Sequence, residues 1–385
     1  MKLQKWIKRG TVLALSAALL TTGLAGCGAT TNNGANADND SETAADDTGK
    51  NDGADQELDT SDANTIHFAI AAGTIRTAPV ILAKELGYYE EEGVNVEFVN
   101  SQDAPSTLTA ISSGKKDVDA FGQGIVPSLT FIANGSDLVI YEGTAAEGGS
   151  IIAKEENVEK FKDLSNYEGI TAALVRNESS WTITRAKLKE EGYDIDSIQL
   201  MEVDSEANVA QAVAKGEADV GFLPVEYANS FKDIGVSIVM EVGEISPLYV
   251  CCRQVTSAAK LEEKRDAFVK FTKANLRAYE FFEDEANRDE VVKILADYSG
   301  QTEDYVYNYF FVNRTVLTLD PNSKGVETFY DSLKDSGYFD GGTDVDIKDH
   351  IDTSVYEEAL NEIIEEYPDD TFFQEQKDIF EQYNQ

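Results

Sequence analysis

The sequence predicts an α/β protein of two lobes, each built on a mostly parallel sheet and joined by a hinge with a cleft between them. Three observations predict it. Residues Ile66 to Val99 contain a complete strand–loop–helix–strand unit, the form that builds parallel sheets. A helix–Gly-x-x-Asp–strand pattern occurs twice, at Gly114/Asp117/Val118 and at Gly216/Asp219/Val220. After the second copy the apolar run Pro247 to Cys252 leads into a long helical region, as expected of a chain returning to the lobe it left.

In the first unit Ile66, Phe68 and Ile70 alternate as a strand, and Ala71-Ala72-Gly73 ends it where the backbone can turn sharply. The polar loop Thr74-Ile75-Arg76-Thr77 follows. Pro79 suits the first helical turn, and Ile81, Leu82, Leu86 and Tyr89 form the apolar stripe of a helix ended by Gly93. Val94, Val96 and Phe98 alternate as the second strand. Ligands of such sheets sit beyond the carboxyl ends of the strands, so residues 73 to 78 are expected at the mouth of a site.

Ahead of this unit, Lys2, Lys5, Lys8 and Arg9 precede the apolar segment Thr11 to Leu20 and the residues Leu24-Ala25-Gly26-Cys27. A basic start, a short apolar core and small residues form an export signal over 1–26 that is too short to remain as a membrane span. The last four residues look like a bacterial lipobox, in which Cys27 becomes the lipid-modified start of the mature protein. Residues 27–64, mostly Asn, Asp, Gly, Ala, Ser and Thr, have too little apolar surface for a core and are expected to be an acidic, disordered tether. With 32 Lys and Arg against 71 Asp and Glu, the net charge of -39 argues against nucleic acid and against attraction to anionic lipid. It leaves room for a locally basic pocket.

Along the rest of the chain, Asp103 or Ala104 caps a helix closed by Gly114, and 118–122 is a short strand. A helix through Val126, Leu129 and Ile132 and a strand at Leu138 to Tyr141 follow. Glu142 to Gly149 reads as a loop and Ser150 to Ala153 as a strand, with the crossing between lobes after it: 65–153 is the first part of lobe 1 and 154–245 is lobe 2. In lobe 2, 169–174 is a strand of small residues. Asn177-Glu178-Ser179-Ser180 forms a turn and N-cap for the helix begun by Trp181, and strands lie at 198–203, 218–222 and 237–242. Residues 246–385 carry the return strand and helices at 258–283, 290–298, 303–313, 321–333 and 355–367, expected to pack on lobe 1, with a polar, acidic end. The repeated aspartates sit at the amino ends of their strands, the wrong edge for a ligand, and read as structural. Cys251 and Cys252 are neighbours on a strand, where successive side chains point to opposite faces, and read as core fillers. With histidines only at 67 and 350, zinc chemistry and a histidine-based triad have little to work with. No cofactor and no metal is expected.

The combination of Ala78-Pro79-Val80, Ala83-Lys84-Glu85-Leu86-Gly87-Tyr88-Tyr89, Gly93-Val94, Gly114-x-x-Asp117 and Gly216-x-x-Asp219 resembles the periplasmic-type solute-binding proteins of nitrate/sulfonate/taurine importers and of thiamine-pyrimidine importers. The resemblance covers about residues 65 to 245. It implies a type 2 periplasmic-binding-protein fold and a lipid-anchored, non-catalytic monomer on the extracytoplasmic face of the membrane, of a kind found in Gram-positive bacteria. It also implies partners: a small-molecule ligand handed to an ABC permease and its ATPase. Carried over residue by residue, ligand contacts would come from Thr74, Ile75, Arg76, Thr77 and Ala78, from Gly122, Gln123 and Gly124, and from Thr144. The second lobe would add the stretch Asn177 to Trp181, with Asn177, Ser179, Ser180 and Trp181 foremost, and the stretch Pro224 to Tyr227, with Pro224, Glu226 and Tyr227 foremost.

Arg76 fits an anion through its planar fork, or points to solvent. Glu226 takes an amine or aminopyrimidine, or bonds to the hinge backbone. Trp181 stacks on a ring, or packs its own helix. Together they suggest a small polar or zwitterionic organic molecule, a sulfonate, aminopyrimidine or relative. Two rival readings are a binding component that feeds a membrane sensor, and an enzyme similar to the fungal thiamine-pyrimidine synthase, for whose histidine and cysteine residues this chain has no convincing match.

Overall fold

The chain alternates strands and helices from residue 65 onward. The computed structural model describes residues 58–385 apart from 177, 314, 340, 341 and 343, with the backbone alone at 226, 228–230 and 232. The leader, Cys27 and nearly all of the tether lie outside the described residues.

The first lobe begins with β1 (Thr65–Ala71), β2 (Asn95–Ser101), β3 (Ala120–Gly124) and β4 (Leu138–Ala146). The second sheet follows as β5 (Gly149–Lys154), β6 (Thr171–Val175), β7 (Gln199–Val203), β8 (Val220–Pro224) and β9 (Val236–Glu241). The chain then returns as β10 (Val250–Ser257) and adds β11 (Val316–Leu317) to the first sheet. The strand orders are β11-β4-β10-β3-β1-β2 and β7-β6-β8-β5-β9. Both sheets are mixed. The parallel ladders β1–β2, β1–β3, β6–β7 and β6–β8 come from strand–helix–strand units; of the strands that run against them, β10 and β5 each follow a crossing between lobes and β11 is a short edge strand on β4.

Several expectations change. Residues 142–146 are strand and not loop: the Glu142 carboxyl group is buried and accepts hydrogen bonds from Thr272 Oγ1 (2.8 Å) and Asn275 Nδ2 (3.0 Å), so the polar stretch continues β4. Residues 150–153 pair with β8 and β9 in the second sheet, which moves the first crossing from after 153 to 147–148. The repeat is real but its register is off by two. Asp219 exchanges backbone and carboxylate hydrogen bonds with Thr171, and the residue that does the same with His67 is Asp119, while Asp117 is exposed. Asp119 also anchors Lys260 (2.7 Å) and Lys264 (3.0 Å) under the amino ends of the strands. Both described carboxylates are therefore structural.

The helical tail does not all pack on lobe 1. Helix Ser323–Asp335 lies against the lobe 2 helix Ser179–Glu190, through Ser332 Oγ donating to Thr182 O (2.9 Å), Arg185 Nη1 donating to Ser332 O (3.1 Å) and the Lys189–Asp335 ion pair. Its apolar stripe Val326, Phe329, Tyr330 and Leu333 explains why: it is buried in a cluster that also contains Trp181 and Ile183. The polar end forms a further helix, Thr371–Asn384, whose Phe373 and Phe380 are buried. The rest of the tail covers lobe 1 as expected, with Arg265–Glu283 supplying Phe268, Phe271 and Leu276 to the core around Phe68 and Tyr89.

Candidate functional site

Four strand-to-helix junctions meet between the lobes. The loop after β1 presents Arg76 ahead of helix Ala78–Glu85, and Gly124 ends β3 and caps helix Ile125–Ala133. Glu178 caps helix Ser179–Glu190, and Pro224 ends β8. Arg76, Gly124, Ser179 and Pro224 line a cavity of about 140 Å³ together with Ile125 to Pro127, Gly148, Glu178 and Cys251. Helix amino termini offer unpaired amides and a positive dipole end, so this geometry favours a negatively charged or strongly polar group. A larger depression of about 580 Å³ around Phe131 and Asp137 lies on the outside of lobe 1, away from the strand carboxyl ends, and is open to solvent.

The cavity is small because its walls meet. Ser179 Oγ of the second lobe approaches Cys251 Sγ on β10 at 3.9 Å. Gly149, where the chain enters lobe 2, is packed so tightly that a Cβ there would lie 2.3 Å from Ser180 Cβ. The two crossings are clamped to each other: Glu147 N donates to Tyr249 O (3.0 Å), and Leu248 N donates to Glu147 Oε1 (2.7 Å). Glu147 and Leu248 both hold left-handed backbone conformations, with φ of 58° and 56°, and burial pushes the Glu147 carboxyl up. Non-glycine residues in that region are strained and are held there by the surrounding contacts.

The floor on the lobe 1 side is polar. Thr77 Oγ1 and Thr144 Oγ1 are buried with no hydrogen-bond partner, and both residues pack around Gly122, where a Cβ would meet Thr77 Cγ2 at 3.0 Å and Thr144 Oγ1 at 3.4 Å. Gln123 Nε2 donates to Ser128 Oγ at 3.0 Å. Arg253 is fully buried beneath, donating to the backbone oxygens of Pro321 (2.9 Å), Ala145 (3.1 Å) and Cys252 (2.8 Å), and burial lowers its pKa only to about 10, so it stays a cation. Arg76 and Arg253 thus focus positive charge in an otherwise acidic molecule.

The other expected residues fall elsewhere. Ile75 and Ala78 are buried in the lobe 1 core, and Thr74 closes the turn by accepting from Arg76 N (3.3 Å). Trp181 is 7% exposed and sets its ring edge-on to Phe222 at 5.3 Å in the second-lobe core, which makes it a packing residue in this conformation and not a stacking platform. Ser180 is buried and donates its hydroxyl to Glu178 Oε1 at 2.7 Å. Tyr227 is exposed and does not line the cavity. Asn177 and the Glu226 side chain lie outside the described residues. Glu178 lies within the Asn177–Trp181 span expected to touch ligand, although sequence reasoning singled it out only as part of the helix cap. It missed Cys251, whose position depends on an irregularity in β10.

Both histidines are structural. His67 Nδ1 lies 2.9 Å from Asp119 at the opposite edge of the sheet, and His350 Nδ1 lies 2.8 Å from Leu138 O. Among the described residues no group of three His, Cys, Asp or Glu is placed to hold a metal ion, and no helix is long and apolar enough to cross a membrane.

A family model described as NMT1/THI5 like matches residues 74–287, more than half of the chain. YtlA of Bacillus subtilis (strain 168), provisionally described as a binding protein, is 26% identical over 250 residues, 63% of this chain and 73% of its own length. The ligand-binding component of an ABC-type import system from Staphylococcus aureus, solved with zinc bound, superposes with a TM-score of 0.57 at 16% identity, over 77% of this chain and 99% of that one. The periplasmic aliphatic sulphonate binding protein SsuA of Escherichia coli does so with a TM-score of 0.58 at 16% identity, over 75% and 92%. The desulfurization enzyme DSZB shares the architecture at a TM-score of 0.51 and 12% identity, over 78% of this chain and 99% of that one. These superpositions establish a type 2 periplasmic-binding-protein-like fold.

Proposed function

Because the chain belongs to the NMT1/THI5-like family, we propose that it is an extracytoplasmic solute-binding protein that captures a small polar or zwitterionic organic molecule for an ABC permease and its ATPase. The observation that carries this reading is the convergence of Arg76 from one lobe and Glu178–Ser179 from the other on one cavity at four strand carboxyl ends. Arg76 holds the anionic end of the ligand, and Glu178, in place of Glu226, faces the cationic end. The unpartnered hydroxyls of Thr77 and Thr144 support a polar ligand, since a buried hydroxyl without a partner costs about 1–3 kcal/mol. Lobe closure then removes water from both charged contacts and strengthens them.

An enzyme reading has less support: both histidines are engaged away from the cavity. The lipobox-like Leu24-Ala25-Gly26-Cys27 supports a lipid anchor at Cys27 in a Gram-positive cell envelope. Changing Cys27 to Ala is expected to release the protein to the aqueous fraction, and a mature intact mass without acyl chains refutes the anchor.

A thermal-shift screen of sulfonates, carboxylates, amino acids and aminopyrimidines comes first, followed by calorimetry of variants with the best hit. Arg76→Ala and Glu178→Gln are each expected to weaken binding by about 2–5 kcal/mol, roughly 30- to several thousand-fold. Binding within twofold of the parent in both folded variants refutes this placement. A loss in Glu226→Gln with none in Glu178→Gln moves the acidic contact to Glu226.

A further inference from the structure

Cys251 and Cys252 do not behave as strand neighbours. Val250 pairs with Ala146 and Cys252 with Ala145, so Cys251 is left without a partner on β4. This β-bulge puts two residues opposite one and turns their side chains toward the same side. The two sulfurs are 3.5 Å apart, and Cys251 lines the cleft cavity while Cys252 is buried behind it. The expectation that the pair faces opposite sides of the sheet is thereby corrected.

The surroundings make this dithiol reactive. Arg76 brings its positive charge near both sulfurs, Arg253 follows on the same strand, and Glu178 of the second lobe lines the same cavity as Arg76 and Cys251. One S–H is placed to donate to the other sulfur at 3.5 Å, a contact that favours a thiolate on the acceptor. The shared S–H, with Arg76 adding its charge, draws the Cys252 thiol down to about 6 and leaves Cys251 protonated.

We infer that Cys251 and Cys252 form a reversible redox site in the ligand cleft, closing to a vicinal disulfide by exchange with a low-molecular-weight disulfide. The inference does not depend on the identity of the ligand. Cys251, the reachable sulfur, passes its proton to Cys252 and attacks the incoming RSSR, forming a Cys251–SR mixed disulfide and expelling RS⁻. That thiolate takes the proton now on Cys252, and the Cys252 thiolate attacks the Cys251 sulfur and expels the second RS⁻. Two cysteine sulfurs are oxidised and RSSR is reduced to one thiol and one thiolate, the latter protonated by solvent. Adjacent Cα atoms are about 3.8 Å apart, below the usual 4.4–6.8 Å for a disulfide, so the bond is strained and readily reduced. That is the profile of a labile, regulatory bridge. Its formation removes a thiolate from beside Arg76 and makes the cleft more attractive to anions.

The test exposes the folded protein to bis(2-hydroxyethyl) disulfide, traps free thiols with an alkylating agent under acid quench, and maps the peptide carrying residues 251–252. The expected product is that peptide two hydrogens lighter and unalkylated, restored to two alkylated cysteines by dilute dithiothreitol with unchanged circular dichroism. Cys252→Ser is expected to stop at a mixed disulfide on Cys251, and Cys251→Ser to leave Cys252 unmodified. In Arg76→Gln the reaction is expected to slow about fivefold near pH 6, because a rise of about one unit in the thiol pKa cuts the thiolate from about half to about a tenth. Two alkylated cysteines after prolonged exposure of the parent protein, or a mixed disulfide that never resolves, overturn the inference.

Discussion

Glu142 offers the most quantitative check on how the cleft floor is built. Its carboxyl is fully buried on β4, one residue before Gly143 and two before Thr144, and burial raises its pKa from 4.5 to about 8 against the hydrogen bonds from Thr272, Asn275 and Gln254. An acid raised in the folded state binds its proton there while the unfolded chain has released it. The neutral form therefore stabilises the fold fully below pH 4.5, and this contribution is lost as pH rises from 4.5 to about 8. At about 1.4 kcal/mol per unit, the whole span is worth on the order of 5 kcal/mol. Glu142→Gln keeps the shape and the contacts with Asn275 and Thr272, because Asn275 Nδ2 still finds the amide oxygen and Thr272 Oγ1 can turn from donor to acceptor. Urea denaturation at pH 5 is expected to give parent and variant nearly equal stabilities. At pH 8.5 the variant is expected to be more stable by several kcal/mol. A difference that does not change between the two pH values refutes the reasoning.

Three further outcomes are expected. Asp119→Asn leaves Lys260 and Lys264 buried without their carboxylate and should cost about 3–5 kcal/mol in urea denaturation. Although burial raises it, the Asp119 carboxyl is held below its ordinary 3.8 by Lys260, the His67 amide and Lys264, so its contribution in the parent protein is present above that pH and fades as acid titration passes below it. Gly149→Ala must displace the start of helix Ser179–Glu190, where its Cβ would lie 2.3 Å from Ser180 Cβ, and is expected to weaken binding of the best thermal-shift hit at least tenfold by calorimetry in a protein that still folds. Small-angle scattering at ligand saturation should give a smaller radius than the ligand-free protein if closure accompanies binding; unchanged dimensions would count against it.

Much of the fold was legible because strand-helix alternation is written locally. The alternation of Ile66, Phe68 and Ile70 and the helix signals at Pro79 and Gly93 depend only on neighbours in the chain. What depended on distant partners was not legible. Glu142 to Ala146 carries the polar and small residues of a loop, and only Thr272 and Asn275, more than a hundred residues on, make it a buried strand. Residues 150–153 read correctly as a strand, but which sheet receives a strand is decided by its partners, here β8 and β9. In the candidate site, the rule that ligands sit at strand carboxyl ends put Arg76 at the mouth, while Gly124, Ser179 and Pro224 came from the family resemblance, and all four line the one cavity. Trp181 was weighed for its chemistry, and only the position of Phe222 assigns it to the core. The bulge at Cys251 leaves no mark in composition at all.

The insertion of β10 into the first sheet has a consequence for biogenesis. Both strand neighbours of β4, β10 and β11, lie far downstream, and the Arg253–Ala145 hydrogen bond alone spans 108 residues. β3 likewise meets only β1 until β10 arrives. A chain emerging amino end first from a translocation channel can therefore assemble the whole second sheet, β5 to β9, while the first remains in two unjoined pieces with exposed edges. Folding of the lobe that begins the chain must wait for the lobe that interrupts it, and during that interval β4 is the segment most in need of protection from pairing with another molecule.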